Sequence, residues 1–141
     1  MLRRGDYVLC NFPFREFHGP GPSPHIVLCA ATGRLGSARF AIVFYTTSRT
    51  DYLGARRPRQ YLFVSQAKAI ELGQKVAFHV DASRIARLPL TTDYFPELHE
   101  NTVAVRGHDP EFVAKVEKRL AELIAAGVEI IRIDSVAPHP R

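Results

Sequence analysis

Arg4-Gly5-Asp6-Tyr7-Val8-Leu9-Cys10-Asn11-Phe12-Pro13-Phe14 is the stretch that decides the fold, together with the run it leads to, His25-Ile26-Val27-Leu28-Cys29-Ala30-Ala31. Tyr7 to Phe14 is rich in aromatic and β-branched residues, which predicts a strand. Pro13 has no N–H to donate to a ladder, so it marks the end of that strand or an edge position. Between the two runs lies Gly19-Pro20-Gly21-Pro22-Ser23-Pro24, a composition that leaves neither a helical nor a strand option. The two runs therefore read as paired strands joined by a Gly/Pro loop that carries His18. The rest of the chain reads as a small β-barrel closed around them.

Working outward, Thr32-Gly33-Arg34-Leu35-Gly36-Ser37 turns the chain into a third strand, Arg39 to Tyr45. Its core, Phe40-Ala41-Ile42-Val43-Phe44-Tyr45, is an unbroken apolar run, as long as any in the chain. That continuity predicts burial on both faces, and the run is too short to span a bilayer. A hydroxyl cluster, Thr46-Thr47-Ser48, follows, then a polar loop with Arg49, Arg56, Arg57 and Arg59. Gln60 to Val64 predicts a short strand. Ser65 to Gly73 predicts a compact helix with an N-cap serine and a terminal glycine. From Lys75 to Val80 apolar and polar residues alternate, placing His79 on the polar face, and Asp81 continues extended to Pro89.

Asp109-Pro110-Glu111 predicts a strong helix start: cap, N1 proline and first-turn acid. Phe112, Val113, Val116, Leu120, Leu123 and Ile124 share one face of that helix, and Gly127 stops it. The opposite face, with Lys115, Lys118, Arg119 and Glu122, reads as solvated. Glu129 to Asp134 predicts an edge strand. The 141 residues read as one domain, mainly β with helices, the barrel core over about 4–106 and the terminal helix over about 110–126.

The net charge of +5 is unevenly spread. Residues 1–92 hold 13 Lys/Arg against 5 Asp/Glu, a balance of +8, and residues 93–141 hold 6 against 9, a balance of −3. Eleven of the thirteen N-terminal cations are arginine, whose planar fork suits phosphate. A basic half of this kind points to a polyanionic partner, without separating RNA from DNA or an acidic protein. Cys10 and Cys29 sit inside apolar strand patterns, where buried reduced thiols are expected. Met1-Leu2-Arg3-Arg4 leads into no apolar signal region, so the expected location is the cytoplasm and no membrane partner is expected. No CxxC or HExxH spacing and no phosphate-binding glycine motif occurs, so neither a metal nor a nucleotide cofactor is expected.

A basic residue, Gly5-Asp6, an apolar strand with Asn11-Phe12-Pro13-Phe14, a Gly/Pro loop and Pro24-His25-Ile26-Val27-Leu28 follow one another in an order that resembles the opening of the MazF/PemK (Kid-like) toxin family. Thr46-Thr47-Ser48 after the third strand, the short helix at Ala69 to Gly73, Val80-Asp81 leading to Arg84-Ile85, and the terminal amphipathic helix extend the resemblance over about residues 4–126. The resemblance implies an SH3-like barrel of the MazF/Kid/CcdB type. It further implies a homodimer that cleaves single-stranded RNA without metal or cofactor and is held inactive by an antitoxin protein. By position, His18 matches the family's loop histidine, Thr46 its cleft hydroxyl and Asp81 its aspartate. Ser23 stands where the family usually has arginine before the proline, and His79 where Kid-like members have arginine.

Metal-free RNA cleavage is an in-line attack of a 2′-hydroxyl on the adjacent phosphorus. It needs a base, an acid and donors for the charged phosphorane. His18, Thr46, His79 and Asp81 are the candidate catalytic residues: Asp81 or His18 would take the proton and His79 return one. Arg84 and Thr46 would grip the phosphate, and Thr47, Arg49, Arg56 and Arg57 are the further candidates for RNA binding. Each has a plainer role open to it. His18 can be a solvated loop residue, His79 an exposed strand residue, Asp81 a turn cap or ion-pair partner of Arg84, and the hydroxyl cluster a strand terminus. His25 reads as a core or edge residue. Besides the nuclease, two readings stand: a catalytically degenerate barrel that binds RNA or a protein without cutting, and a protein-targeting relative of the fold, for which no residue speaks.

Overall fold

Gly5 fastens the start of the chain to both ends of the fold. Its N–H donates to the Cys29 carbonyl at 2.8 Å and its carbonyl accepts from the Asp109 N–H at 2.9 Å. The computed structural model describes residues 1–13, 19–49 and 57–136. Strand β1 (Asp6–Cys10) pairs antiparallel with β2 (His25–Leu35), Tyr7 opposite Leu28 and Cys10 opposite His25. The predicted strand was longer, reaching Phe14. It stops at Cys10 because Asn11 bonds elsewhere: its N–H donates to the Tyr94 carbonyl at 2.8 Å and its side-chain Nδ2 to the Asp93 carbonyl at 2.9 Å.

A tight turn at Gly36-Ser37, with Gly36 at φ +64°, joins β2 to β3 (Ala38–Thr47). β4 (Tyr61–Val64), α1 (Gln66–Glu71) and the long β5 (Phe78–Pro89) follow. The Ser65 hydroxyl caps α1 by accepting from the Lys68 N–H, as its place before the helix predicts. β6 (Leu98–His99) and β7 (Thr102–Val103) form a small separate pair, and β8 (Val105–His108) returns to pair with β1. α2 (Pro110–Ala125) starts at Asp109, whose Oδ1 accepts from the Phe112 N–H, and β9 (Ile131–Asp134) runs parallel beside β5. The protein is mainly β with two helices, as expected. The main ladder runs β4-β5-β3-β2-β1-β8, with β9 attached to β5.

Both faces of this sheet are covered, which is why β3 reads as a continuous apolar run. Val8, Cys10, Val27, Cys29, Ala41, Val43 and Leu88 meet Tyr94, Phe95 and Val103 on one face. Tyr7, Leu28, Phe44, Val80 and Ala82 meet Ala69 of α1 and Val113, Val116 and Leu123 of α2 on the other. Ile124, assigned to the apolar face by its spacing, is 47% exposed. Arg119, assigned to the solvated face, is half-buried and donates to the Arg59 carbonyl at 2.6 Å. Cys10 and Cys29 are buried and free, and burial pushes the Cys29 thiol up to about 12, so neither is poised as a nucleophile. Asp6 is fully buried; its carboxylate accepts from the Arg3 N–H at 2.8 Å and sits 2.7 Å from Nδ1 of His108. Arg4 adds a two-pronged bond to Glu117 of α2. Among the described residues no helix is long and apolar enough to cross a membrane.

Candidate functional site

β5 pairs with β3 in two stretches that are out of step. Phe40 to Phe44 lie opposite Pro89 to Ile85, and then Tyr45, Thr46 and Thr47 lie opposite Asp81, Val80 and His79. Ala82, Ser83 and Arg84 are skipped and form a bulge. The Asp81 carboxylate builds that bulge: Oδ1 accepts from the Ser83 N–H at 2.9 Å and from the Ser83 hydroxyl at 2.6 Å. A bulge bends its strand and re-aims a side chain, and here the side chain is Arg84, whose guanidinium lies 4.9 Å from the centre of the Tyr45 ring.

β4 lies on the outer side of β5, so the ladders set the candidates in two rows. Tyr45, Asp81 and Tyr61 are register partners in one, and Thr47, His79 and Phe63 in the next. Positions two apart on a strand share a face, so both rows look the same way. Arg84 stacks on Tyr45 at one end, and Arg57 stacks on Phe63 at 4.9 Å at the other. Around Tyr45, the His25 ring lies 5.2 Å away with its Nδ1 3.4 Å from the Tyr45 hydroxyl, and the Phe12 ring lies 5.2 Å away. A groove of about 360 Å³ opens beside them, lined by His25, Tyr45, Thr46, Thr47, Ser48 and Lys75.

The structure brings Asp81, Arg84, His79, Thr47 and Arg57 onto this one platform, but not all in reacting positions. His79, expected on a polar face, is instead 1% exposed, because β4 covers it: its ring packs against Tyr61 at 5.8 Å and Phe63 at 5.2 Å. Thr46 points to the opposite face from Tyr45, is buried, and donates its hydroxyl to the Ile26 carbonyl at 2.5 Å. Thr47 accepts from the Arg49 N–H at 3.3 Å, and Arg49 is exposed. His18 and Arg56 lie outside the described residues. Tyr45, Tyr61, Phe63 and His25 were not among the candidates. Their signal is strand parity, since each shares a row or a ring contact with a candidate, but it can be used only once the ladder register is known.

The charges fit acid–base chemistry. Burial raises the Asp81 carboxyl above its ordinary range, against the pull of its Ser83 bonds and of Arg84. Burial, with Arg84 nearby, lowers His25, and burial likewise raises the Tyr45 hydroxyl. The Arg84 Nε–H is buried and meets no hydrogen-bond partner among the described residues. An unmet buried donor costs about 1–3 kcal/mol. No group of three or more His, Cys, Asp or Glu that could hold a metal ion occurs among the described residues.

Asp81 also predicts a stability signature. A carboxyl whose folded value is raised binds its proton more tightly in the folded state, so it stabilises the fold only at low pH. That contribution is lost as pH rises through the interval between its unfolded and folded values. Asp81→Asn, neutral at every pH and able to accept from Ser83, is expected to gain about 1 kcal/mol at pH 7, seen as a higher melting midpoint. A lower midpoint would contradict this electrostatic account of the bulge. The sequence matches no family model and no curated protein.

Proposed function

We propose that this chain is a MazF/PemK-like endoribonuclease toxin that cleaves single-stranded RNA on the Tyr45–Arg84 platform. The observation that carries the reading is the Arg84 guanidinium, held over Tyr45 beside Asp81 and His25, with its buried Nε–H lacking an acceptor among the described residues. The planar fork of Arg84 suits phosphate oxygens at its open edge, while the buried Nε–H faces the protein. Its neighbours are a base that is neutral at pH 7 and a carboxyl with raised proton affinity.

In the reaction, His25 takes the proton of a 2′-hydroxyl, the freed oxygen attacks the adjacent phosphorus, and Arg84 holds the charge on the phosphorane. The bond to the 5′-oxygen breaks, Asp81 gives that oxygen a proton, and the products are a 2′,3′-cyclic phosphate and a 5′-hydroxyl. For His25 to act through Nε2, Nδ1–H must donate to the Tyr45 oxygen, the contact seen at 3.4 Å. Thr46 then supports the platform from the opposite face, and His79 supports it by packing against Tyr61 and Phe63. Thr47, Arg49 and Arg57 are left to contact the RNA on either side.

Two further parts of the reading follow the same resemblance. Among the described residues the ladder is open, with no pairing between β4 and β8, and the SH3-like barrel rests on the resemblance together with the bend of β5 at its bulge. The working state is then a cytoplasmic homodimer, restrained by an antitoxin protein that covers the basic half.

A non-cleaving binder is the second reading, favoured by the burial of His79, Thr46 and Asp81 and by Ser23 at the family's arginine position. Incubation of the purified protein with a long unstructured RNA in EDTA separates the two. Cutting of RNA but not of the same sequence in DNA supports the nuclease, and tight binding without cutting supports the binder. The active form needs neutral His25 and protonated Asp81, so cleavage is expected to fall as pH rises through the raised Asp81 value. It is also expected to fall as pH drops through the lowered His25 value. A rate that climbs steadily through neutral pH into alkali would remove Asp81 as the acid.

A further inference from the structure

The platform does not end at β4. Tyr61 and Phe63, whose rings pack on His79, also line a wide groove of about 620 Å³ on the far side of that strand. Its other wall is α2, with Phe112, Arg119 and Glu122, and its rim carries Arg57 and Arg59. Three arginines face one carboxylate here. The Arg59 guanidinium stands 3.8 Å from Glu122, an ion-pair distance too long for a hydrogen bond. Arg119 uses NH1 on the Arg59 carbonyl at 2.6 Å, which braces the rim, and its other N–H groups make no hydrogen bond among the described residues. Arginine forks beside accessible aromatic rings are the combination that holds a sugar-phosphate strand while its bases stack.

We propose that this groove between β4 and α2 binds single-stranded RNA, as a second track that carries the strand over the β4 edge to the Tyr45–Arg84 platform. The proposal rests on the RNA reading above and extends it to residues that reading does not use. Unstacked bases can reach Tyr61, Phe63 and Phe112, whereas the stacked bases of a duplex cannot, so the groove selects single strands. Arg59 and Arg119 supply phosphate contacts, and their loss weakens binding to all sequences alike.

The test is anisotropy of a labelled, unstructured 2′-O-methyl RNA, which binds but has no free 2′-hydroxyl to react, titrated at several salt concentrations. The expected result is that Arg59→Glu with Arg119→Glu weakens binding about tenfold and lowers the slope of log affinity against log salt by about 1.4, two phosphate contacts on a single strand. Arg59→Glu alone, at an exposed side chain that no backbone group relies on, is expected to give about half that change in slope. Unchanged affinity and slope in both variants, with RNA still bound, would overturn the groove and leave the platform reading intact. Failure of the unmodified protein to bind any RNA would overturn both. Binding of a poly-glutamate peptide that needs Arg59 and Arg119, with no RNA bound, would overturn the proposal in favour of a protein partner.

Discussion

Arg84→Ala is expected to lower RNA cleavage by about a hundred- to a thousand-fold, the usual loss when one preorganised donor to a transition-state oxyanion is removed. The effect is expected in kcat more than in KM, because phosphate charge grows in the phosphorane while the neighbouring arginines still hold the ground-state strand. Arg84→Lys keeps the charge but not the planar fork or the stack on Tyr45, and is expected to recover only part of the rate. The fold should survive both changes. Arg84 is half-buried in a bulge built by Asp81 and Ser83, and its Nε–H supports no neighbour among the described residues. Its removal deletes an unmet donor, which offsets the lost stack on Tyr45 and the lost cation beside Asp81, so the melting midpoint should change little. Full cleavage by a well-folded Arg84→Ala protein would move the site away from this platform.

Gly5→Ala is expected to be the most damaging small substitution to the fold. Gly5 sits at φ +96°, a conformation costing an L-residue about 1–2 kcal/mol. A Cβ there would also stand 2.5 Å from the Pro110 nitrogen and 2.7 Å from its Cα, both backbone atoms that cannot swing aside. Relief requires lifting α2 from the sheet or breaking the Gly5 bonds to Cys29 and Asp109, so overpacking adds about 1–3 kcal/mol. A total near 3 kcal/mol corresponds to a fall of about 10 °C in the melting midpoint for a domain of this size. Gly127→Ala is the matched control. It shares the positive φ, at +75°, but nothing lies within 4 Å of the added Cβ, so only the conformational share should be lost. Equal losses at the two positions would show that the close approach of α2 to Gly5 is not what the structure makes it.

Gly5 also shows what a sequence reading can and cannot reach. Its place before the first strand was legible; its reason, an approach to a helix start more than a hundred residues later, was not. The strongly local elements were read correctly. α2 announced itself through Asp109-Pro110-Glu111 and a helical stripe, and β3 through an apolar run buried on both faces. β8 went unread because Val105 to His108 carry no strand pattern and are held by pairing with β1. The same limit governs the site. Asp81 and Arg84 were named through the resemblance, and the bulge that joins them became visible only in the ladder register. His79 could not be placed, because alternation along β5 says nothing of whether β4 covers that face. Tyr45, His25, Tyr61 and Phe63 gain their meaning from register across three ladders, and register is set by packing over the whole sheet.

The most direct test of the central claim is to read the ends of the RNA fragments. The measurement is mass spectrometry of products from an unstructured RNA incubated with purified protein in EDTA, beside an Arg84→Ala control. The account predicts fragments ending in a 2′,3′-cyclic phosphate and beginning with a 5′-hydroxyl, formed by the unmodified protein and nearly lost with the variant. Intact RNA, or fragments with 3′-hydroxyl and 5′-phosphate ends, would contradict it.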